Sequence, residues 1–298
     1  MLMRRQLTAA VAVTAAVISL SACASNKETS GPTGASVSAT VSANGAAIAL
    51  LPAKIKSAGK LIVGVNVPYS PNEYKDSSGK IVGFDVDLLD AVAKGLGLTT
   101  QYTESDFDKI IPSVQAGTYD VGMSSFTDTK EREKTVDFTT YFSAGILWAS
   151  QAGKTVDPNN ACGLRVAVQT TTTEDTDDIP TKSKACTNAG KKPITKVQFD
   201  SQDDATNAVV LGKVDAMSAD SPVTAYAIKQ AAGKLAQAGD IFESAPYGWP
   251  VAKGSTLSQA LQKSLQTLID NGTYNQICEK WGVQTGEITT SQINGATS

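Results

Sequence analysis

Between Leu50 and Trp281, short apolar runs alternate with amphipathic stretches, and this alternation restricts the fold more than any other feature of the chain. Leu61-Ile-Val-Gly-Val65 reads as a buried strand, and Phe84, Leu88, Leu89, Val92 and Leu96 share one face of a helix that stops at Gly97. A strand near Thr99–Thr103 precedes a helix carrying Phe107, Ile110, Ile111 and Val114, in which Pro112 is tolerable only if the helix starts late. Strands are expected near Tyr119–Met123 and Gly145–Ala149. The same grammar returns as strand Arg165–Val168, a polar helix past Thr172, strand Lys196–Phe199, helix Ser201–Leu211 and strand Val214–Met217. Late helices follow, one through Leu257, Leu261, Leu265, Leu268 and Ile269 and another over Tyr274 to Trp281. Such alternation predicts an α/β fold with parallel sheets covered on both faces.

An internal echo divides this pattern. Gly117-Thr-Tyr-Asp120 and Gly212-Lys-Val-Asp215 each end an amphipathic helix and open an apolar strand, and each strand runs into a polar edge, Ser124-Ser125 in one and Ser218-Ala-Asp220 in the other. Two α/β lobes with polar strand ends facing each other make a ligand cleft, because open α/β sheets bind ligands at the carboxyl ends of their strands. A single large α/β domain with ordinary strand-to-loop transitions is the alternative.

Composition removes whole classes of chemistry. The chain has 298 residues and no histidine, which excludes Ser-His-Asp and Cys-His catalysis and every His-ligated metal site. With 26 basic and 29 acidic residues, the net charge of −3 gives no footprint for nucleic acid. The first residues read as an address: Arg4 and Arg5 precede an uncharged apolar run from Leu7 to Leu20, too short to span a bilayer. That run closes on Leu20-Ser21-Ala22-Cys23, which resembles the bacterial lipobox, so residues 1–23 are expected to be a lipoprotein signal peptide and Cys23 its acylated residue. Residues 24–49, poor in charge and without aromatics, are expected to form a flexible linker. The polar stretch 286–298 is expected to be a poorly ordered tail. In an oxidising compartment Cys162 and Cys186 are expected to pair, leaving Cys278 on a buried helix face with Tyr274, Ile277 and Trp281.

Several segments together are similar to family 3 of the bacterial extracellular solute-binding proteins, the binding components of amino-acid ABC importers. They are Gly64-Val65, Gly79-Lys-Ile-Val-Gly-Phe-Asp-Val-Asp-Leu88, Asp106-Phe-Asp-Lys-Ile-Ile-Pro112, Tyr119-Asp-Val, Thr127-Asp-Thr-Lys-Glu-Arg132, Val136-Asp-Phe138, Asp215-Ala, Ala219-Asp-Ser-Pro222, Pro246-Tyr-Gly248 and Asp270-Asn-Gly-Thr-Tyr274. They lie in the family's order over roughly Lys54 to Trp281. The resemblance implies a two-lobed periplasmic-binding-protein-like fold of type II. The first lobe would comprise 50–148 plus 252–285 and the second 153–246, with crossovers near Trp148–Ala152 and Tyr247–Val251. Ligand would close the lobes by a hinge.

A free amino acid is a zwitterion, so its pocket needs a cation for the carboxylate and an anion for the ammonium. By resemblance, Arg132 binds the carboxylate and Asp220 the ammonium. On composition alone, Arg132 reads as a solvated charge within Lys130-Glu-Arg-Glu-Lys134 and Asp220 as a helix N-cap before Pro222. Ser124, Ser125 and Thr127 match the family's strand edge that holds the head group. Gln169-Thr-Thr-Thr-Thr173 matches its Gln-Gly-Thr-Thr stretch with Thr170 in place of Gly, so Thr171 and Thr172 are candidates in an open register. Tyr69 and Phe107 fall where the family's rings sandwich the ligand side chain. Asn66 stands where relatives that take basic or amide side chains carry Asp, and supplies a donor and an acceptor without charge. Asn72 replaces an aromatic of the family pattern.

The resemblance implies a non-enzymatic, extracytoplasmic, lipid-anchored monomer without metal or cofactor. It would capture a free amino acid, polar or neutral in its side chain, for an ABC transporter permease. A sensing surface lipoprotein on the same fold is the alternative, and a dehydratase-like enzyme a distant third.

Overall fold

The computed structural model describes residues 41–297. The signal-peptide reading, the acylated Cys23 and the first part of the linker lie outside the described residues.

The strands are β1 (Lys60–Val65), β2 (Tyr74–Lys75), β3 (Ile81–Val82), β4 (Thr99–Glu104), β5 (Val121–Gly122), β6 (Val136–Gln151), β7 (Arg165–Gln169), β8 (Thr195–Phe199), β9 (Ala216–Asp220) and β10 (Leu235–Ala252). The helices are α1 (Gly45–Ile48), α2 (Ala53–Ala58), α3 (Phe84–Gly95), α4 (Phe107–Gln115), α5 (Lys130–Glu133), α6 (Ile179–Asn188), α7 (Gln202–Val210), α8 (Ser221–Gln230), α9 (Leu257–Asp270) and α10 (Thr273–Trp281). Eight strands form one sheet in the order β4-β1-β5-β10-β6-β9-β7-β8, and β2 and β3 pair apart from it. β1 lies parallel to β4 and β5, and β7 parallel to β8 and β9. Between these halves run β6 and β10, 16 and 18 residues long and antiparallel to each other.

Each half has its own core. Leu61, Val63, Phe84, Leu88, Trp249, Leu261, Leu265 and Ile277 pack together in the first lobe, so the first and last parts of the described chain share a core. In the second lobe the sheet is covered on both faces: Trp148, Val166, Val168 and Ile179 on one, Ala149, Ala167, Ala205, Val209 and Met217 on the other. Phe142 and Ala144 belong to the first core, whereas Ile146 and Trp148 already belong to the second. The change of lobe therefore falls ahead of the Trp148–Ala152 crossover expected from the sequence. Gly145 marks it. A Cβ there would come 2.7 Å from the Phe242 carbonyl oxygen, so only glycine lets the two strands approach this closely. Bulges in β10 near Phe242 and Tyr247 bend the ladder at the same level.

Three further sequence expectations change. Residues 41–49 are not free linker: Asn44 caps α1, its Oδ1 accepting from the Ala47 N–H (3.0 Å) and its Nδ2 donating to Thr267 Oγ1 (2.8 Å), and Ala47 is buried. The stretch 286–297 is packed. Ser291 Oγ donates to the Thr140 carbonyl (2.6 Å), Asn294 Nδ2 donates to Asp137 Oδ1 (2.9 Å), and the Gly295 N–H donates to Asp128 Oδ2 (2.7 Å). A polar segment thus gains order from acceptors on β6 and beside α5. Finally, α4 begins at Phe107 and carries Pro112 in its interior, forgoing the N–H that would have reached the Asp108 carbonyl. Cys162 and Cys186 form a disulfide with Cα atoms 5.5 Å apart, and Cys278 is a buried free thiol.

Candidate functional site

The pocket lies at the carboxyl ends of the parallel strands, where a strand hands its last residues to a loop. Asn66 follows β1, Ser124 and Ser125 follow β5, Gln169 ends β7 and Asp220 ends β9. Around one cavity the fold gathers Asn66, Tyr69, Phe107, Ser124, Ser125, Thr127 and Arg132 from the first lobe, and Gln169, Thr172, Thr173, Glu174 and Asp220 from the second.

Arg132 sits in α5, whose N-cap Thr129 accepts the Arg132 N–H at 3.2 Å. Its Nη1 donates to the Thr127 carbonyl (2.8 Å) and its Nη2 to the Thr171 carbonyl across the cleft (2.9 Å). The guanidinium carbon lies 5.7 Å from the Phe107 ring centre and 5.5 Å from that of Phe126, two rings stacked 4.3 Å apart. Those contacts fix the plane of the guanidinium and leave further N–H groups for a ligand.

Asp220 occupies the N-cap position of α8, yet its side chain makes no capping bond. Oδ2 instead accepts the Tyr69 hydroxyl at 2.7 Å, from the opposite lobe. Burial pushes this carboxyl up to about 6, against the hydrogen bond from Tyr69 and the attraction of Arg132. Gln169 Nε2 crosses the cleft to Asn66 Oδ1 (2.9 Å), and Asn66 Nδ2 donates to the Ser105 carbonyl (2.9 Å). Three hydrogen bonds thus hold the two lobes together over the pocket.

All the candidate residues read from the sequence line this cavity except Thr171. That residue has φ 63°, donates its N–H to Asp175 Oδ2 (2.8 Å) and offers its carbonyl to Arg132, so it steers the guanidinium rather than facing the cavity with its side chain. Sequence reasoning missed Glu174, and left Gln169 and Thr173 as parts of a motif. Glu174 matters most. It opens a π-helical turn (Glu174–Asp178), is buried, and its Oε1 has no hydrogen-bond partner among the described residues. Burial, reinforced by the charge of Asp220, pushes it up to about 8. Its only sequence signal was its place at the head of the acidic run Glu174-Asp-Thr-Asp-Asp178, which reads as a solvated helix start.

Comparison with known proteins identifies the family. The bacterial extracellular solute-binding proteins, family 3, match over residues 61–284. The arginine-binding protein ArgT of Corynebacterium glutamicum is 39% identical over 293 residues, spanning 98% of this chain and 96% of the relative. An ancestral arginine-binding protein, solved bound to arginine, superposes with a TM-score of 0.69 at 36% identity, covering 75% of this chain and 98% of that one. An ancestral arginine-binding protein solved bound to glutamine gives 0.68 at 36% identity, covering 76% and 98%. The chain belongs to the bacterial extracellular solute-binding proteins, family 3.

Proposed function

We propose that this chain captures a free amino acid outside the cytoplasm and hands it to an ABC importer, and that its preferred ligand has a cationic side chain, arginine first. One observation carries the reading: Arg132 and Asp220 line the same pocket from opposite lobes and form no ion pair with each other. A zwitterion satisfies both, its carboxylate on the planar guanidinium and its ammonium on Asp220. That head group leaves Glu174 over, a second buried acid that a cationic side chain would neutralise. The Corynebacterium relative, named for arginine, and the ancestral complex with arginine support the same choice. The uncharged Asn66–Gln169 amide pair favours a second reading, a neutral polar side chain such as glutamine, in line with the ancestral complex that holds glutamine.

Titration calorimetry with L-arginine, L-lysine, L-histidine and L-glutamine separates the two. Arginine should bind tightest, and more tightly as pH rises from about 6 towards about 8, because Glu174 then loses its proton to solvent and its carboxylate pairs with the cationic side chain. Glutamine binding tighter, without that dependence, replaces arginine by the neutral reading. A protein that binds none of the common amino acids ends both.

We also place the chain on the outer face of the cell membrane through a diacylglyceryl group on Cys23, a reading supported by Leu20-Ser21-Ala22-Cys23. In detergent-phase partitioning the wild type should follow the detergent and Cys23→Ser the water. A wild type left in the water removes the anchor.

A further inference from the structure

Behind the first-lobe wall of the pocket lie two acids that neither the ligand nor solvent reaches. Glu73, in the loop before β2, and Asp85, in the first turn of α3, are both fully buried. Ser124 Oγ donates to Glu73 Oε1 at 2.8 Å. Asp85 Oδ2 accepts the Ser125 N–H (3.1 Å), the Ser125 hydroxyl (3.1 Å) and the Tyr141 hydroxyl (2.6 Å), while Asn72 Nδ2 donates to Ser125 Oγ (2.8 Å). Ser125 is held at φ 49°, a left-handed conformation that a serine adopts only under local constraint. Asp85 Oδ1 has no donor from these groups, and neither does Asn72 Oδ1. The other titratable groups around the pair are Tyr69, Tyr102, Tyr141 and Asp220, each neutral or acidic, and no ion pair among the described residues includes Glu73 or Asp85. Two buried carboxylates that both reach the Ser125 hydroxyl (Glu73 Oε2 at 3.5 Å, Asp85 Oδ2 at 3.1 Å), without a cation, cannot both hold a negative charge at neutral pH.

We propose that Glu73 and Asp85 share one proton, carried by Glu73 and donated to the otherwise unserved Asp85 Oδ1, and that this pair is the positioning element that fixes the Ser124–Ser125 edge for the ligand. The assignment gives Asp85 Oδ1 a donor: Glu73 keeps an oxygen for Ser124, and Asp85 keeps its charge for the three donors on Oδ2. Burial and the proximity of Asp85 push Glu73 well above its ordinary range, and burial raises Asp85 against the pull of its donors. The positioning role rests on the reading of Ser124 and Ser125 as ligand contacts; the shared proton does not.

The two parts are tested separately. Infrared difference spectroscopy of the ligand-free protein at neutral pH should show the carbonyl stretch of a protonated carboxyl in the wild type that Glu73→Gln removes, with the fold retained. Wild type and Glu73→Gln without that difference overturn the shared proton, whatever the ligand proves to be. For positioning, Glu73→Ala should weaken L-arginine binding about tenfold or more, and Glu73→Gln should recover most of it, because the amide N–H takes the place of the proton and its carbonyl still accepts from Ser124. Glu73→Gln as weak as Glu73→Ala overturns that role. If the wild type binds no arginine, the functional reading has failed, and the infrared difference still decides the proton.

Discussion

The first-lobe wall of the pocket draws its lining from separate segments, after β1, at the start of α4, after β5 and in α5, and the last two are tied from behind. Ser124 and Ser125 rest on Glu73 and Asp85, and the segment after Thr127 rests on the packed tail, with Gly295 and Ala296 donating to Asp128 and Glu133. The second-lobe wall draws all but Asp220 from the consecutive stretch Gln169–Glu174, wound into a positive φ at Thr171 and a π-helical turn. The first wall supplies the cation and hydrogen-bonding edges; the second supplies both lining acids. On the proposed function, the first wall offers the ligand carboxylate a pre-positioned cation, while the second carries two buried acids that the ligand's positive groups would neutralise.

Arg132→Ala should break this division most. Truncating one partner of a buried, hydrogen-bonded charge pair costs about 2–5 kcal/mol, or roughly 30- to several-thousand-fold in Kd. Arg132→Lys should recover only part, because an ammonium lacks the planar fork. Calorimetry on the folded variants measures both, and an Arg132→Ala protein binding like wild type would place the site elsewhere.

Glu174→Gln sharpens the contrast with a smaller effect of opposite sign on stability. Because folding raises the pKa of this group from an ordinary value near 4.3, the stability it contributes is full below that value and fades as pH rises through about 8. The amide stays neutral throughout. Without ligand, the variant should therefore melt about 2–4 °C higher than wild type at pH 8, the shift that about 1 kcal/mol produces in a chain of this class, and the two should converge near pH 5. It should lose arginine affinity more than glutamine affinity. Equal melting at both pH values would remove the charge cost assigned to the second wall.

The smallest effect concerns the backing of the first wall. Asn294 donates to Asp137 Oδ1 and accepts the Phe138 N–H (2.9 Å). Asn294→Ala should cost about 1–2 kcal/mol of unfolding free energy in a denaturant titration while changing Kd less than about threefold. A larger loss of affinity than of stability would make the tail part of the site.

What the sequence revealed follows the same division. Strand–helix grammar exposed both lobes, because burial on two faces leaves apolar runs that no loop imitates. Arg132 and Asp220 became legible through their motifs, whereas composition alone would have left the first in solvent and the second as a cap. Glu174 stayed hidden because an acid at the head of an acidic run is an ordinary exposed placement, and only the fold buries it. Glu73 and Asp85 stayed hidden because an acid in a loop and an acid in the first turn of a helix are ordinary surface placements, and only the neighbouring serines and Tyr141 turn them into a network. The tail was misread because its order comes from Asp128, Asp137 and Thr140, far away in the chain.

The unequal origin of the two cores has a consequence for how the molecule comes to exist. Every member of the second-lobe cores falls between Ile146 and Phe242, so that lobe can collapse on contacts made within its own stretch of chain. The first-lobe core joins Leu61 and Phe84 to Leu261 and Ile277, and its closure must wait for the far end of the polypeptide. During folding the second lobe should gain protection from hydrogen exchange first, while β1 and α3 remain open with their apolar faces unpartnered. A complete ligand site then has to wait for α9 and α10, although neither helix contributes a residue to the pocket.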